Sequence, residues 1–336
     1  MKLKTILIGG AAMTALALPA AAETLRIQTH YAPETTSGKL AQEFVEQVAA
    51  DSNGDLTIEM FYSSAVVKTV ETFDAAANGI LDCDMTGGAY QTGKNPAFQF
   101  VGDIMGGYDV PQQQYDWLKQ PGNMDLVQAL YNQYGMQFIG WWMYGQESLA
   151  STKPLDGIGA LKDFKFRSPP GMETEIFAKL GSSPVVMDFT EVFTALETGI
   201  IDGADASSLA NNKGMGLYDV AKNATYPGFH SMPADHLACN KTKWDSLTDE
   251  QRAVVQKAME DLGAKSAQTH ADANEVALAE LTEAGVNVSA WSDEDRAAFR
   301  EAAQATWLEW AAKTPEAKSL VDSHIAYMTE IGLISE

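Results

Sequence analysis

The sequence predicts an α/β protein built as two lobes, and three observations predict it. The chain opens strand, helix, strand, an order that favours a parallel sheet. A helix–glycine–strand unit occurs twice, in "VETFDAAANGILDCDMTGGAY" and in "TEVFTALETGIIDGADASSL", as two lobes sharing one βα logic would show. Behind a short leader about 314 residues remain, enough for two domains.

The leader is residues 1–22. Lys2 and Lys4 precede the apolar run "TILIGGAAMTALAL", and "PAAAE" ends in small residues of the cleavage type. This reads as a secretory signal peptide cut between Ala22 and Glu23, which sends the chain to the periplasm. No later run is apolar and long enough to span a bilayer. The formal charge of the full chain is −22. Such acidity excludes nucleic acid and anionic lipid surfaces as partners, and any anionic ligand must be captured locally. Cys83 and Cys239 lie in "LDCDM" and "HLACN". An exported chain can bridge them, but two small buried hydrophobes is the reading preferred for them. Two cysteines and five histidines make no zinc signature.

The elements follow in order. "LRIQT" alternates as a strand. A helix from Gly38 to Asp51 puts Leu40, Phe44 and Val48 on one face, and "GDLTIEMFY" is the second strand. The helix before Gly79 leads to a third strand and a glycine turn; the same succession recurs at Gly199, because a helix usually closes on a left-handed residue. A helix to Tyr134 stops at Gly135, and the strand Met136 to Tyr144 carries the chain to the other lobe. "DFKFRSPP" is a strand, "GMETEIFAKLG" a helix opened near Pro170 and closed by Gly181, and "SSPVVMDF" a further strand, with Asp188 or Thr190 capping the next helix. After "YPGFHSMPADHLACN" returns the chain to the first lobe, Thr248 and Gln251 have capping-box spacing before a long helix. Ser292 caps another that ends before Pro315. Lobe I is thus expected at 23–137 plus 213–250 and lobe II at 138–212 plus 251–290, with C-terminal helices at 291–336 packing across both.

Arg167 is the sharpest signal. It ends a strand, where α/β sheets bind ligands, and its planar fork matches a carboxylate with two hydrogen bonds. The competing reading pairs it with Glu173 or Glu175. Tyr31, Tyr90 and either Trp141 or Trp142 offer aromatic walls for a small-ligand pocket, and Trp142 is taken for the site. His236 follows Asp235, but neighbours on a strand face opposite ways and cannot form a dyad; it reads as a ligand hydrogen-bond donor or a satisfied polar residue. No nucleophile elbow, P-loop or zinc-protease motif occurs.

The segment "LKDFKFRSPPG…KLGSSPVVMDFTEVFTALETGIIDGADA" resembles the signature of the extracytoplasmic solute receptors of tripartite ATP-independent periplasmic (TRAP) transporters. With "GKNPAFQF", "NKTKWDSL" and "YPGFHSMP", the chain is most similar to the branch that binds 2-oxo acids. The resemblance implies a two-lobed, type II periplasmic-binding-protein-like fold with interlobe crossing strands. It implies that Arg167 holds a substrate carboxylate and that the partners are a small organic anion and the membrane permease subunits, and it admits a homodimer. It places Gln146 of "YGQES" and Asp205 of "IDGADA" on the substrate or on a bridging Na+ or Ca2+ ion, with the backbone at Ala206 beside them; the branch carries glutamate and tryptophan where this chain has Asp205 and Ala206. The function expected is high-affinity binding and delivery of a small organic acid. The alternatives are an exported lyase or isomerase, for which Asp205, Glu147 or His236 would be the base, and a binding protein for a chemoreceptor.

Overall fold

A computed structural model describes residues 22–334; the expected signal peptide, residues 1–22, lies outside the described residues except for Ala22. The strands in chain order are β1 (Glu23–Thr29), β2 (Leu56–Phe61), β3 (Cys83–Met85), β4 (Met136–Met143), β5 (Glu147–Ser151), β6 (Lys165–Ser168), β7 (Ser183–Val186), β8 (Gly203–Ser208), β9 (Asn223–Thr225), β10 (Ala234–Asn240) and β11 (Asn287–Ser289). They form two sheets, β2-β1-β3-β10-β4 and β11-β9-β5-β8-β6-β7. In the first, β1 runs parallel to β2 and β3, while β10 is antiparallel to β3 and β4. In the second, β6 is parallel to β7 and β8, and β5 is antiparallel to β8 and β9.

The helix Thr36–Asp51 forms as its pattern predicts. Thr35 caps it by accepting from the Gly38 N–H, and Leu40, Phe44 and Val48 are buried. The two repeated units are both present. The helices Thr72–Ala77 and Val192–Glu197 stop before Gly79 and Gly199, at φ 78° and 73°, and lead into β3 and β8. A side chain on either glycine would strain that turn.

The chain passes between lobes at other points than the sequence suggested. β4 stays in the first sheet through Met143, so the crossing is Tyr144–Gln146, not residue 138. The return is 226–233, because β9 still belongs to the second sheet. The two crossings run side by side. The Tyr144 N–H donates to Pro233 O at 3.4 Å and the Glu147 N–H to Ser231 O at 3.2 Å. A Cβ on Gly228 would lie 2.0 Å from Glu147 O, so only glycine permits this approach. The third link is the 35-residue helix Asp249–Glu283, opened by the Thr248–Gln251 capping box. Midway, Ser266 Oγ accepts from Met143 N–H of β4 at 2.8 Å; further on, Asn274 accepts from Ala210 N–H of the second lobe at 2.9 Å.

The helix Asp293–Ala311 packs on both lobes: Trp307 Nε1 donates to Met105 O at 2.9 Å and Arg300 Nε to Gly106 O at 2.7 Å, both in the first lobe. Phe299, on the helix Asp293–Ala311, meets Phe177 of the second lobe at 5.4 Å between ring centroids. His324, on the helix Pro315–Glu330, stacks on Trp117 at 3.6 Å. Cys83 and Cys239 form a disulfide, which corrects the reading of two unpaired hydrophobes. They are direct cross-strand neighbours on β3 and β10, a pairing visible only once β10 is seen to return beside β3. No helix among the described residues is long and apolar enough to cross a membrane.

Candidate functional site

Between the sheets lie two adjoining cavities of about 50 Å³ and 40 Å³, both bounded by Gly87, Ala89, Tyr144, Glu147 and Pro169. Arg167 sits on the smaller one and is 1% exposed. Its Nη1 donates to Asp205 O at 2.7 Å and its Nε to Met187 O at 3.3 Å; Nη2 reaches Tyr90 Oη, from the opposite lobe, at 3.5 Å. The Phe189 ring lies 5.8 Å from its Cζ, within cation–π range. The internal acids proposed against it are engaged elsewhere: Ser168 Oγ donates to Glu173 Oε2 at 2.8 Å, and Glu175 pairs with Lys313. A guanidinium carries five N–H groups and three are used here, which leaves one on each Nη for a carboxylate.

β8 and β5 bring acids to the same place. Asp205 Oδ1 lies 3.1 Å from His230 Nε2. Glu147 accepts from Tyr144 Oη at 3.3 Å and lies 3.8 Å from the same imidazole nitrogen. Burial pushes Glu147 well above the usual carboxylate range, and the Asp205 charge adds to it. Burial would raise Asp205 too, but the His230 hydrogen bond and the His230 and Arg167 charges outweigh it and hold it low. Glu173 is raised by burial and by the Asp205 and Glu147 charges, and its Oε1 makes no hydrogen bond within the protein. Asp103, which accepts from Ser231 Oγ at 2.8 Å, is pushed by burial up to about 7. On the smaller cavity, Asp235 is raised by burial and by Asp84 against a lowering by Tyr31; neither of its carboxylate oxygens has a hydrogen-bond partner, and His30 Nε2 lies 3.8 Å from its Oδ2. His30 beside it is held down to about 3 by burial and then by the Arg167 charge.

Of the residues expected at the site, Arg167, Asp205, Tyr90 and Ala206 line these cavities. Gln146 does not. Its Nε2 donates to Asp109 O at 3.2 Å, and it faces a groove of about 360 Å³ along the helix Asp249–Glu283. Glu147 stands in its place, because adjacent residues of extended backbone face opposite ways. His236 is also elsewhere: it is held between Tyr131 Oη at 2.8 Å and Asp84 Oδ2 at 2.9 Å inside the first lobe, while Asp235 faces the cleft. Tyr31 and Trp142 form a buried row behind His30, with centroids 5.7 Å apart. Trp141 faces the other side, against Trp117 and Phe138. His30, Asp103, Glu173 and His230 were missed. They sit in loops or at a helix start, where no periodicity marks direction; a polar residue amid the apolar "YPGFHSMP" was the one available sign of His230.

The cation set expected, Gln146 and Asp205 with Ala206, does not assemble. Glu147, Asp205 and His230 do, offering three ligand atoms within 4.8 Å of one another. Na+ and Ca2+ take oxygen ligands, so they fit through the two carboxylates; imidazole beside carboxylates suits transition ions as well.

Two α/β lobes tied by three crossings, with a polar chamber between them and an unneutralised guanidinium on its wall, define a receptor for a small solute. The chain belongs to the bacterial extracellular solute-binding proteins of family 7, whose model matches residues 27–314. It is 26% identical over 302 residues, 87% of this chain and 80% of the other, to the monocarboxylate 2-oxoacid-binding periplasmic protein of Nostoc sp.. It is 34% identical to a TRAP periplasmic solute-binding protein of Rhodobacter sphaeroides in an apo open structure, with TM-score 0.73 over 94% of this chain and all of that one. A Bordetella bronchiseptica TRAP solute-binding protein, a mixed-occupancy dimer with calcium and picolinate in its active site, matches with TM-score 0.85 over 92% and 93% at 23% identity.

Proposed function

We propose that this chain binds a small carboxylate-bearing solute between its lobes in the periplasm and delivers it to the permease subunits of a TRAP transporter. The observation that carries the reading is Arg167: buried, paired with no carboxylate among the described residues, and with one N–H left on each Nη beside a cavity. Burying a charge without a counter-ion is costly; here carbonyls and a phenol satisfy part of it and a guest carboxylate completes it. The named ligands of relatives, a 2-oxo acid in one and picolinate in another, carry that group.

The enzymatic alternative loses one of its bases, since His236 faces away from the cleft. A receptor returns its solute unchanged after long incubation, whereas a lyase or isomerase would consume it. A thermal-shift screen of 2-oxo acids, hydroxy acids, aromatic acids and sulfonates identifies binders, because a tight ligand raises the melting point by mass action. Arg167→Ala then weakens the best of them by about a hundredfold or more, since charge-assisted bonds contribute about 1.5–3 kcal/mol each. Unchanged affinity by calorimetry refutes the clamp. The homodimer that the resemblance admits is checked by light scattering.

A further inference from the structure

Acidic side chains outnumber basic ones around the two cavities. Asp103, Glu147, Glu173, Asp205 and Asp235 line them, against one guanidinium. Unpartnered carboxylate oxygens lie along this wall, with the unpartnered Nδ1 of His30 beside them. Both oxygens of Asp235, 1% exposed, and Oε1 of Glu173, 2% exposed, are buried acceptors without a donor, and a buried acceptor left so is costly. An ammonium group brings three N–H donors and a positive charge. Asp235 is the better placed of the two acids, because it shares the 40 Å³ cavity with Arg167 and has both oxygens open. Glu147 borders the same cavity from the facing strand end.

We propose that the solute is a small zwitterion, with its carboxylate on Arg167 and a protonated amine against Asp235 and Glu147. This rests on the carboxylate reading above and narrows it to amino acids and similar inner salts. Cavity size limits the length. One water-sized site needs about 10–15 Å³ on this measure, so both cavities together hold roughly six to nine non-hydrogen atoms. A 2-amino to 4-amino acid of three or four carbons fits.

The test is calorimetry on the mature protein in EDTA with matched probes that differ only in the amine: alanine against lactate and propionate, and 4-aminobutanoate against butanoate, with propylamine as the amine alone. The amino member of at least one set binds about 10- to 100-fold tighter than its partners, the range expected of one or two charge-assisted bonds. Asp235→Asn shrinks that gap. Propionate or lactate binding as tightly as alanine, and butanoate as tightly as 4-aminobutanoate, overturns the zwitterion and leaves the Arg167 clamp standing. Plain carboxylates that bind only when Ca2+ replaces EDTA overturn it also, assigning the acids to a metal ion. Propylamine binding where no carboxylate does overturns the clamp itself. Silence from every probe overturns the charge and size proposed here and leaves the clamp to the Arg167→Ala comparison.

Discussion

At the scale of single residues, the site turns on which way a side chain leaves the backbone. Gln146 and Glu147 are neighbours at the start of β5, yet one bonds to Asp109 O outside the cleft and the other meets His230 inside it. Gln146→Ala therefore leaves ligand affinity within about threefold, and Glu147→Ala does not; a large loss at Gln146 by calorimetry would reverse the assignment. Residue type was legible in the sequence and direction was not, since one step along extended backbone exchanges the faces. Arg167 was legible because a strand-end arginine without a local acid is an anomaly of composition alone. Asp103 gives a second prediction. Its carboxyl is raised by burial to about 7, against about 3.9 in an unfolded chain. The native state then binds more protons than the unfolded state between these values, so this group's stabilisation is complete below about 4 and is lost as pH rises to 7. Asp103→Asn removes that slope. Between pH 4 and 7 the wild type should lose stability relative to the variant by up to about 1.4 kcal/mol per pH unit, read from urea midpoints; parallel curves would mean that Asp103 is ionised in the folded protein.

At the scale of elements, the strands and capped helices were legible because periodicity and capping are local. Thr248 and Ser292 both cap where hydroxyl and spacing indicate. What escaped was pairing between distant elements. Nothing near Cys83 shows that β10 returns beside β3, although 156 residues separate the two cysteines. That separation has an energetic consequence. Cross-linking so long a loop removes much of the unfolded chain's freedom, and the chain-entropy estimate is about 5 kcal/mol, with 2–4 typical in practice. Cys83→Ala/Cys239→Ala should lose about 2–5 kcal/mol of unfolding free energy, with the secondary structure preserved by circular dichroism. A loss under about 1 kcal/mol would show that the strand ladder alone holds β3 to β10.

At the scale of the whole molecule, the two-lobed plan was legible from the repeated βα unit, while the crossing points were displaced because a crossing strand pairs in one sheet before it leaves. The lobes also touch away from the three links. Asp188, after β7, accepts from the Thr69 N–H at 3.0 Å and lies 3.3 Å from Thr69 Oγ1, in the first lobe after β2. The Met172 N–H, at a helix start in the second lobe, donates to Gln99 Oε1 at 3.0 Å. Such contacts exist only while the lobes stand this close, and they bias a hinge equilibrium without touching the solute. Burial would raise the Asp188 carboxyl, but its bonds to Thr190 and Thr69 outweigh this and lower it, so it acts as a charged acceptor. Apparent affinity scales with the fraction of molecules in the binding-competent arrangement. Removing a charged acceptor contributing about 1.5–3 kcal/mol should therefore weaken solute binding by about 10- to 100-fold in Asp188→Ala. Asp188 also caps its own turn through Thr190, whose Oγ1 lies 3.3 Å from Ser64 Oγ of the first lobe. Small-angle scattering should give a larger radius of gyration for solute-free Asp188→Ala than for the wild type, and the same radius for both at saturation. Wild-type affinity in Asp188→Ala, or an unchanged radius of gyration without solute, would mean that the Asp188–Thr69 contact sets the turn and not the balance between open and shut lobes.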